Sequence, residues 1–234
     1  MSFRDITADS VTARQLPIAT IAAERLRIES TPSIILKRVT DILLGLPLLL
    51  ILAPLLLVLL VVNTIATKGH PVFRQVRVGR GGRPIRVYKL RSMAVDAEDR
   101  LRADPELYAK YLANGHKLPQ GEDPRVTALG RFLRRTSLDE IPQLWCVAVG
   151  SMSLVGPRPV LTDELEFLYD SHRGCYLSSK PGLTGIWQVS GRSAIVGEER
   201  VALDCDYVRN WTFLGDLGVL LRTIPAVLFS RGSH

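Results

Sequence analysis

The chain has 234 residues, with 30 Lys or Arg against 23 Asp or Glu, a net charge of +7 and a pI near 9.6. That length holds one globular domain of ordinary size beside a membrane anchor, and the charge suits nucleic acid, anionic headgroups or a phosphorylated substrate. Three widely spaced cysteines, Cys146, Cys175 and Cys205, exclude a disulfide framework and a CxxC zinc site, and fit a soluble part facing a reducing cytoplasm.

Residues 1–33 mix short apolar patches with Arg4, Arg14, Arg25 and Arg27 and hold no sustained period, which reads as a loosely ordered tail resting on headgroups. Residues 34–68 carry the dominant feature. From Ile42 to Thr67 no charge interrupts a run with twelve leucines, closed by Asp41 and Lys68. As a straight helix it would be about 39 Å long, enough to cross a bilayer core of roughly 30 Å. It is too long, and starts too far into the chain, for a cleaved signal. Pro47 and Pro54 each remove a backbone donor from it. Basic residues flank both ends: Lys37 and Arg38 before it, then Lys68, Arg74, Arg77, Arg80 and Arg83. A spanning helix concentrates Lys and Arg on one side, so matched flanks suit a helix bent at Pro54 that returns to the face it left. A simple span stays open too, because transmembrane helices tolerate proline. Either way the chain has one deep membrane anchor.

Residues 69–234 form the globular part. Residues 71–78 and 84–89 are β-branched and extended around Gly79-Arg80-Gly81-Gly82, which predicts a β-hairpin. The glycines belong to the turn, since no helix pattern follows as a phosphate-binding fingerprint requires. Residues 94–113 are charged, helix-forming and exposed, and residues 119–124 form a loop. Residues 126–135 predict a short helix ending in Arg131, Arg134 and Arg135, where cations are ordinary at a helix C-terminus.

Thr136-Ser137-Leu138-Asp139-Glu140-Ile141-Pro142 follows, and two capping registers compete in it. Ser137 with Glu140 makes a capping box; Asp139 as N-cap instead puts Pro142 in the first turn, where its missing N–H costs nothing. Both set adjacent carboxylates at a helix N-terminus near three arginines, as a plain cap or a catalytic pair. The helix over 140–149 sends Leu144, Trp145 and Val147 to the core. In Gly156-Pro157-Arg158-Pro159, two prolines aim one guanidinium, whose fork suits phosphate or, as the structural alternative, a salt bridge. Residues 163–172 read as an acidic helix. Between Lys180 and Arg192 the glycines exclude a long helix and suggest backbone close to a ligand. Trp187 either stacks on a base or fills the core. Residues 211–229 predict amphipathic helices lying in the interface, the last broken by Pro225.

Five motifs stand in order along this chain: Lys37-Arg38…Asp41 before a proline-broken run, Lys89-Leu90-Arg91-Ser92-Met93, Ser137-Leu138-Asp139-Glu140, Met152-Ser153-Leu154-Val155-Gly156-Pro157-Arg158-Pro159, and Pro181-Gly182-Leu183-Thr184-Gly185. Together they are far more specific than any one. From about Lys37 to the C-terminus the chain resembles the bacterial sugar transferases, the monotopic polyprenyl-phosphate phosphoglycosyl transferases. Within that family it is most similar to the exopolysaccharide initiators that transfer galactose or glucose 1-phosphate, as Thr223-Ile224-Pro225-Ala226-Val227 and Ser230-Arg231-Gly232-Ser233 also suggest. It departs at Ser151, where the family usually has an acid, and that departure puts full activity in question.

The resemblance implies an α+β, helix-dominated fold with a re-entrant anchor broken at Pro54 and a small β-hairpin. It implies a cytoplasmic catalytic domain with interfacial C-terminal helices, on the inner membrane of a bacterium. It further implies Mg²⁺, a UDP-hexose donor and undecaprenyl phosphate as acceptor, with membrane lipids as surroundings and no nucleic acid. The family's nucleophile falls on Asp139, which also holds the metal, and its partner glutamate on Glu140. Arg158 and the arginines before Thr136, Arg131, Arg134 and Arg135, are candidates for charge on the transferring phosphoryl group. Lys89, Arg91, Gln188 and Arg192 are candidates for nucleotide or phosphate contact. The rival reading is a membrane-tethered basic binding or scaffold protein without chemistry. A nucleic-acid binder of that kind would interleave aromatics with a basic stripe, whereas these arginines cluster beside paired acids.

Overall fold

The structure, a computed structural model, describes residues 31–113, 118, 123–191, 195 and 197–228. Residues 1–30 of the expected tail lie outside that set, and residues 31–33 already belong to a helix.

That helix, α1 (Thr31–Thr67), runs for 37 residues and contains both Pro47 and Pro54 without ending at either. Each proline forfeits one backbone bond, to the carbonyls of Leu43 and Leu50, and leucine-rich turns on either side carry the helix through. The expected break at Pro54 is therefore not a helix end. Gly45, Leu49, Leu52, Leu56, Leu59 and Asn63 recur at three- and four-residue spacing and face the globular domain. That is the pattern of a helix with one buried stripe. The opposite side, with Leu43, Leu50, Ile51, Leu57, Val58, Val61 and Ile65, is more than half exposed. Among the described residues this is the one helix long and apolar enough to cross a membrane.

The first turns of α1 lock onto the domain. Lys37 Nζ donates to Asp216 Oδ2 at 2.7 Å, to the Tyr207 hydroxyl at 2.8 Å and to the Val155 carbonyl at 3.1 Å. Arg38 donates to the carbonyls of Val147 and Ala148, each at 2.7 Å, which fills acceptors that a helix end leaves open. Asp41 Oδ1 accepts from Leu154 N at 2.8 Å and Ser153 Oγ at 2.9 Å. Lys37 and Arg38, read from sequence as the basic flank before the apolar run, are thus docking groups.

β1 (Val72–Val78) and β2 (Pro84–Leu90) form the expected antiparallel hairpin, pairing Phe73 with Lys89, Gln75 with Val87 and Arg77 with Ile85. The helix expected at 94–113 is split into α2 (Ala97–Ala103) and α3 (Pro105–Ala113), because Pro105 starts a helix better than it continues one. α4 (Ala128–Arg135) is capped by Thr127, whose hydroxyl accepts from Gly130 N at 2.9 Å.

α5 (Gln143–Val149) leads into β3 (Ser153–Val155), which pairs in parallel with β4 (Gly182–Thr184). α6 (Thr162–Glu164) unwinds through a wider turn before α7 (Arg173–Leu177), so the acidic segment is not one regular helix. α8 (Ile186–Ser190), α9 (Gly197–Arg209) and α10 (Phe213–Leu228) complete the chain. The glycines of this region pack tightly against neighbouring backbone, and Gly182 also lines the pocket described below. A Cβ at Gly182 would overlap the Gly156 backbone, and one at Gly156 would press on the Lys180 carbonyl. Pro225 sits inside α10 and does not break it. α10 buries Asp216 and Val219 and exposes Leu214, Leu217, Leu221 and Ile224, as an interfacial helix would.

The core joins Leu90, Leu133, Leu144, Val147, Met152, Val155 and Val208, with a second cluster around Val160, Leu165, Tyr169 and Tyr176. Trp145, expected in the core, is 57% exposed on the helix that packs against α1. An indole there suits a membrane interface.

Candidate active site

The site is built where α4 stops. Ser137 takes a left-handed backbone, φ 56° and ψ 17°, which costs a residue with a Cβ on the order of 1 kcal/mol. The chain reverses there into a tight turn, Leu138–Glu140, packed against β2. Neither expected capping register forms: Ser137 makes no side-chain cap, and α5 begins only at Gln143. Asp139 therefore gains nothing from a helix N-terminus. It is 7% exposed, and burial pushes its carboxyl up to about 6, against the pull of Lys89, Arg134 and Arg158 and with the help of Glu140. Near neutral pH it remains mostly ionised.

Glu140 turns to the hairpin, where its Oε1 lies 2.6 Å from Lys89 Nζ. Alternation along the strands puts Phe73, Gln75 and Arg77 of β1 on the face that carries Val87 and Lys89 of β2. These five, with Glu140, Gln143, Arg158, Pro159, Gly182, Leu183 and Gln188, line a pocket next to Asp139: its neighbour Glu140 and two cations that act on its carboxyl, Lys89 and Arg158, are in the lining. Its charged lining is Arg77, Lys89 and Arg158 against the single carboxylate of Glu140, so it favours a polyanion. Two amides in the lining have unpartnered polar atoms among the described residues, Gln143 Nε2 and Gln188 Oε1. Buried polar atoms are rarely left so, and a polar ligand can complete them.

Arg158 reaches the pocket as its prolines suggest, and no ion pair to it is found among the described residues. Its guanidinium carbon lies 5.8 Å from the centre of the Trp187 ring, and that of Arg200 lies 4.9 Å away. Trp187, 7% exposed, is thus a buried support for Arg158 rather than a free stacking surface. Arg200 Nη1 donates to Glu164 Oε1 at 2.7 Å, and Arg77 Nη1 lies 3.6 Å from Glu164 Oε2. Burial raises the Glu164 carboxyl, but Arg200, Arg77 and Arg158 outweigh it and hold the group below its ordinary value.

Not every sequence candidate is brought here. Arg91 Nε donates to the His70 carbonyl at 2.8 Å, and Arg135 is exposed at the end of α4. Arg192 lies outside the described residues. Of the three arginines before Thr136, Arg134 is the one whose charge acts on Asp139, and its Nε donates to Ser92 Oγ at 2.8 Å. The signal was present, since Gly130, Leu133 and Arg134 fall at the spacing of one helical face. Gln75, Arg77 and Gln143 of the lining were not among the sequence candidates, although strand alternation from Lys89 points to the first two. Ser151 donates to the Cys146 carbonyl at 3.1 Å and does not line the pocket, so the departure there leaves the lining intact.

No group of three or more His, Cys, Asp or Glu that could hold a metal occurs among the described residues. Mg²⁺ takes one or two carboxylates and fills its shell with phosphate oxygens and water, so the adjacent Asp139 and Glu140 suit it in the presence of a phosphorylated ligand.

A buried carboxylate beside a cationic pocket, on a domain docked against a long apolar helix, suits chemistry on a phosphorylated substrate. The family described as bacterial sugar transferase matches residues 32–230. The chain is 43% identical over 202 residues to the exopolysaccharide production protein ExoY of Rhizobium meliloti, covering 85% of this chain and 88% of that protein. It is 43% identical to the undecaprenyl-phosphate galactose phosphotransferase of Salmonella typhimurium, over 85% of this chain and 42% of that one. To the UDP-glucose:undecaprenyl-phosphate glucose-1-phosphate transferase of Klebsiella pneumoniae it is 36% identical, over 86% and 42%. This chain belongs to the bacterial sugar transferase family, and it is an enzyme.

Proposed function

We propose that the enzyme transfers a hexose 1-phosphate from a UDP-hexose, galactose or glucose being the sugar, to undecaprenyl phosphate and releases UMP. This would be the first membrane step of exopolysaccharide synthesis, at the cytoplasmic face of the bacterial inner membrane. The observation that carries the reading is the buried carboxyl of Asp139 beside a pocket whose charged lining is three cations and one carboxylate. The names of the Salmonella and Klebsiella relatives supply the acceptor and the two sugars.

In the first step an Asp139 oxygen attacks the phosphorus that bears the hexose. The bond from that phosphorus to the bridging oxygen breaks, UMP leaves, and a phosphosugar remains on the carboxylate. In the second step a phosphate oxygen of undecaprenyl phosphate attacks the same phosphorus and frees Asp139. Splitting the transfer lets a water-soluble donor and a lipid acceptor be handled in turn. Arg158, aimed by its prolines and backed by Trp187, stabilises charge on the transferring group, with Arg134 beside Asp139. Gln143 and Gln188 offer a donor and an acceptor to the sugar or base. Mg²⁺, held by Asp139 or Glu140 with diphosphate oxygens, would lower the repulsion between the carboxylate and the donor.

A re-entrant α1 is the reading that the docking supports. Lys37, Arg38 and Asp41 near its start and Leu59 near its end all pack on the same domain, whereas a spanning helix would carry one end away from it. Purified enzyme in nanodiscs should release UMP from UDP-galactose or UDP-glucose when undecaprenyl phosphate and Mg²⁺ are present. If neither donor exceeds an Asp139→Asn control, the reading is wrong.

A further inference from the structure

A second pocket lies at the base of α1 and shares no lining residue with the first. Four cations line it, Lys37, Arg38, Arg80 and Lys180, with Asp41 as the one carboxylate. Lys37 is paired with Asp216, and Arg38 is held by the carbonyls at the end of α5. Asp41 is turned to Ser153 and Leu154. Arg80, on the hairpin turn, and Lys180, in the loop before β4, have no side-chain partner among the described residues. Even with Asp216 counted, the pocket keeps two cations more than carboxylates.

Ser179 supplies a second and independent observation. It lines the same pocket, is 3% exposed, and its hydroxyl has no partner among the described residues. An unpaired buried hydroxyl costs on the order of 1–3 kcal/mol. A phosphate oxygen would remove that cost and accept from Arg80 and Lys180 as well. Burial, with the crowding of Arg38, Arg80 and Lys37, outweighs the pull of Asp41 and takes the Lys180 ammonium below its ordinary value, and an anion would relieve that crowding. The pocket's depth fits a headgroup: Ile34 to Asp41 sit within two turns of the point where the uncharged run of α1 begins.

We propose that this pocket binds a phosphate group, from an anionic phospholipid headgroup or from a free phosphate, and so seats the base of α1 at the membrane surface. The site holds no residue of the transfer machinery, so its test is independent of turnover.

The test is native mass spectrometry of the full-length protein in detergent, titrated with phosphatidylglycerol, with diacylglycerol as the phosphate-free lipid, and with inorganic phosphate. Wild type should retain one phosphatidylglycerol and no diacylglycerol, and the Arg80→Gln/Lys180→Gln protein should bind it about tenfold or more weakly. Ser179→Ala should bind it several-fold more weakly, while its unliganded melting temperature holds or rises, because the deleted hydroxyl had no partner. Inorganic phosphate bound with the same dependence on these residues makes the ligand a soluble phosphate; retention of the lipid alone makes it a headgroup. Arg80 sits on an exposed turn, so Arg80→Gln alone serves if Lys180→Gln disturbs the fold. Equal retention by wild type and variants, or no phosphate-bearing ligand on folded wild type, overturns the proposal.

Discussion

The carboxylate of Asp139 loses most of its water on folding, and Lys89, Arg134 and Arg158 return only part of what hydration supplied. Its folded value near 6 lies above the ordinary 3.8, so the folded state binds the proton more tightly. The resulting stability is fully present below about pH 4 and is lost as pH rises through 6. At neutral pH the ionised group therefore costs roughly 1–3 kcal/mol. Asp139→Asn should raise the melting temperature by a few degrees at pH 7.5 while removing turnover; a variant that melts lower would show that Lys89, Arg134 and Arg158 more than offset the burial of the charge. Wild-type turnover should likewise fall as pH drops through about 6, since the nucleophile becomes protonated. At Arg158 the charge alone is not enough, because its two prolines and Trp187 aim a planar fork. Arg158→Lys should lower kcat by roughly 100-fold, and wild-type kcat in that variant would assign the prolines to the fold alone.

Between α1 and the domain, the buried Lys37–Asp216 pair at 2.7 Å is the strongest tie. Removing one partner leaves the other charge buried, so Lys37→Ala should destabilise by about 3–5 kcal/mol, read as a lower melting temperature in detergent. A change under 1 kcal/mol would mean that water reaches Asp216. At this scale the sequence shows some elements plainly. Two β-branched runs around a glycine turn made the hairpin legible, and Lys89, Glu140, Arg158 and Gln188 do meet in one pocket. Arg134 and Arg135 differ by a hundred degrees of rotation on α4, which an arginine cluster read as composition does not resolve. Ser137 adopts a backbone that residue preference argues against, and that hid the turn presenting Asp139. Close approach to backbone and to ligand demand the same residue, and Gly182 of β4 meets both demands at once, since it packs on the Gly156 backbone and also lines the pocket.

For the whole molecule, apolar composition does not distinguish a core from a lipid-facing side, and that is why Trp145 was misplaced. The same limit leaves the direction of α1 in the membrane to experiment. Cysteines at Ser33 and Lys68, in a background without the native three, should both be labelled only from the cytoplasmic side if α1 is re-entrant. At the next residue, Gly69, a new side chain would crowd Val95, its Cβ coming 2.7 Å from that residue. Labelling from opposite sides would make α1 a span. Pro54→Leu restores the bond to the Leu50 carbonyl, and it should shift the population towards spanning and lower activity.

The claim on which the account turns is that the transfer passes through Asp139. Intact-mass spectrometry of the enzyme with UDP-galactose or UDP-glucose and Mg²⁺, and without acceptor, tests it most directly. The account predicts about one equivalent of UMP and a gain of one hexose phosphate on the protein, both abolished by Asp139→Asn. UMP released only once undecaprenyl phosphate is added, or an adduct that survives Asp139→Asn, would contradict it.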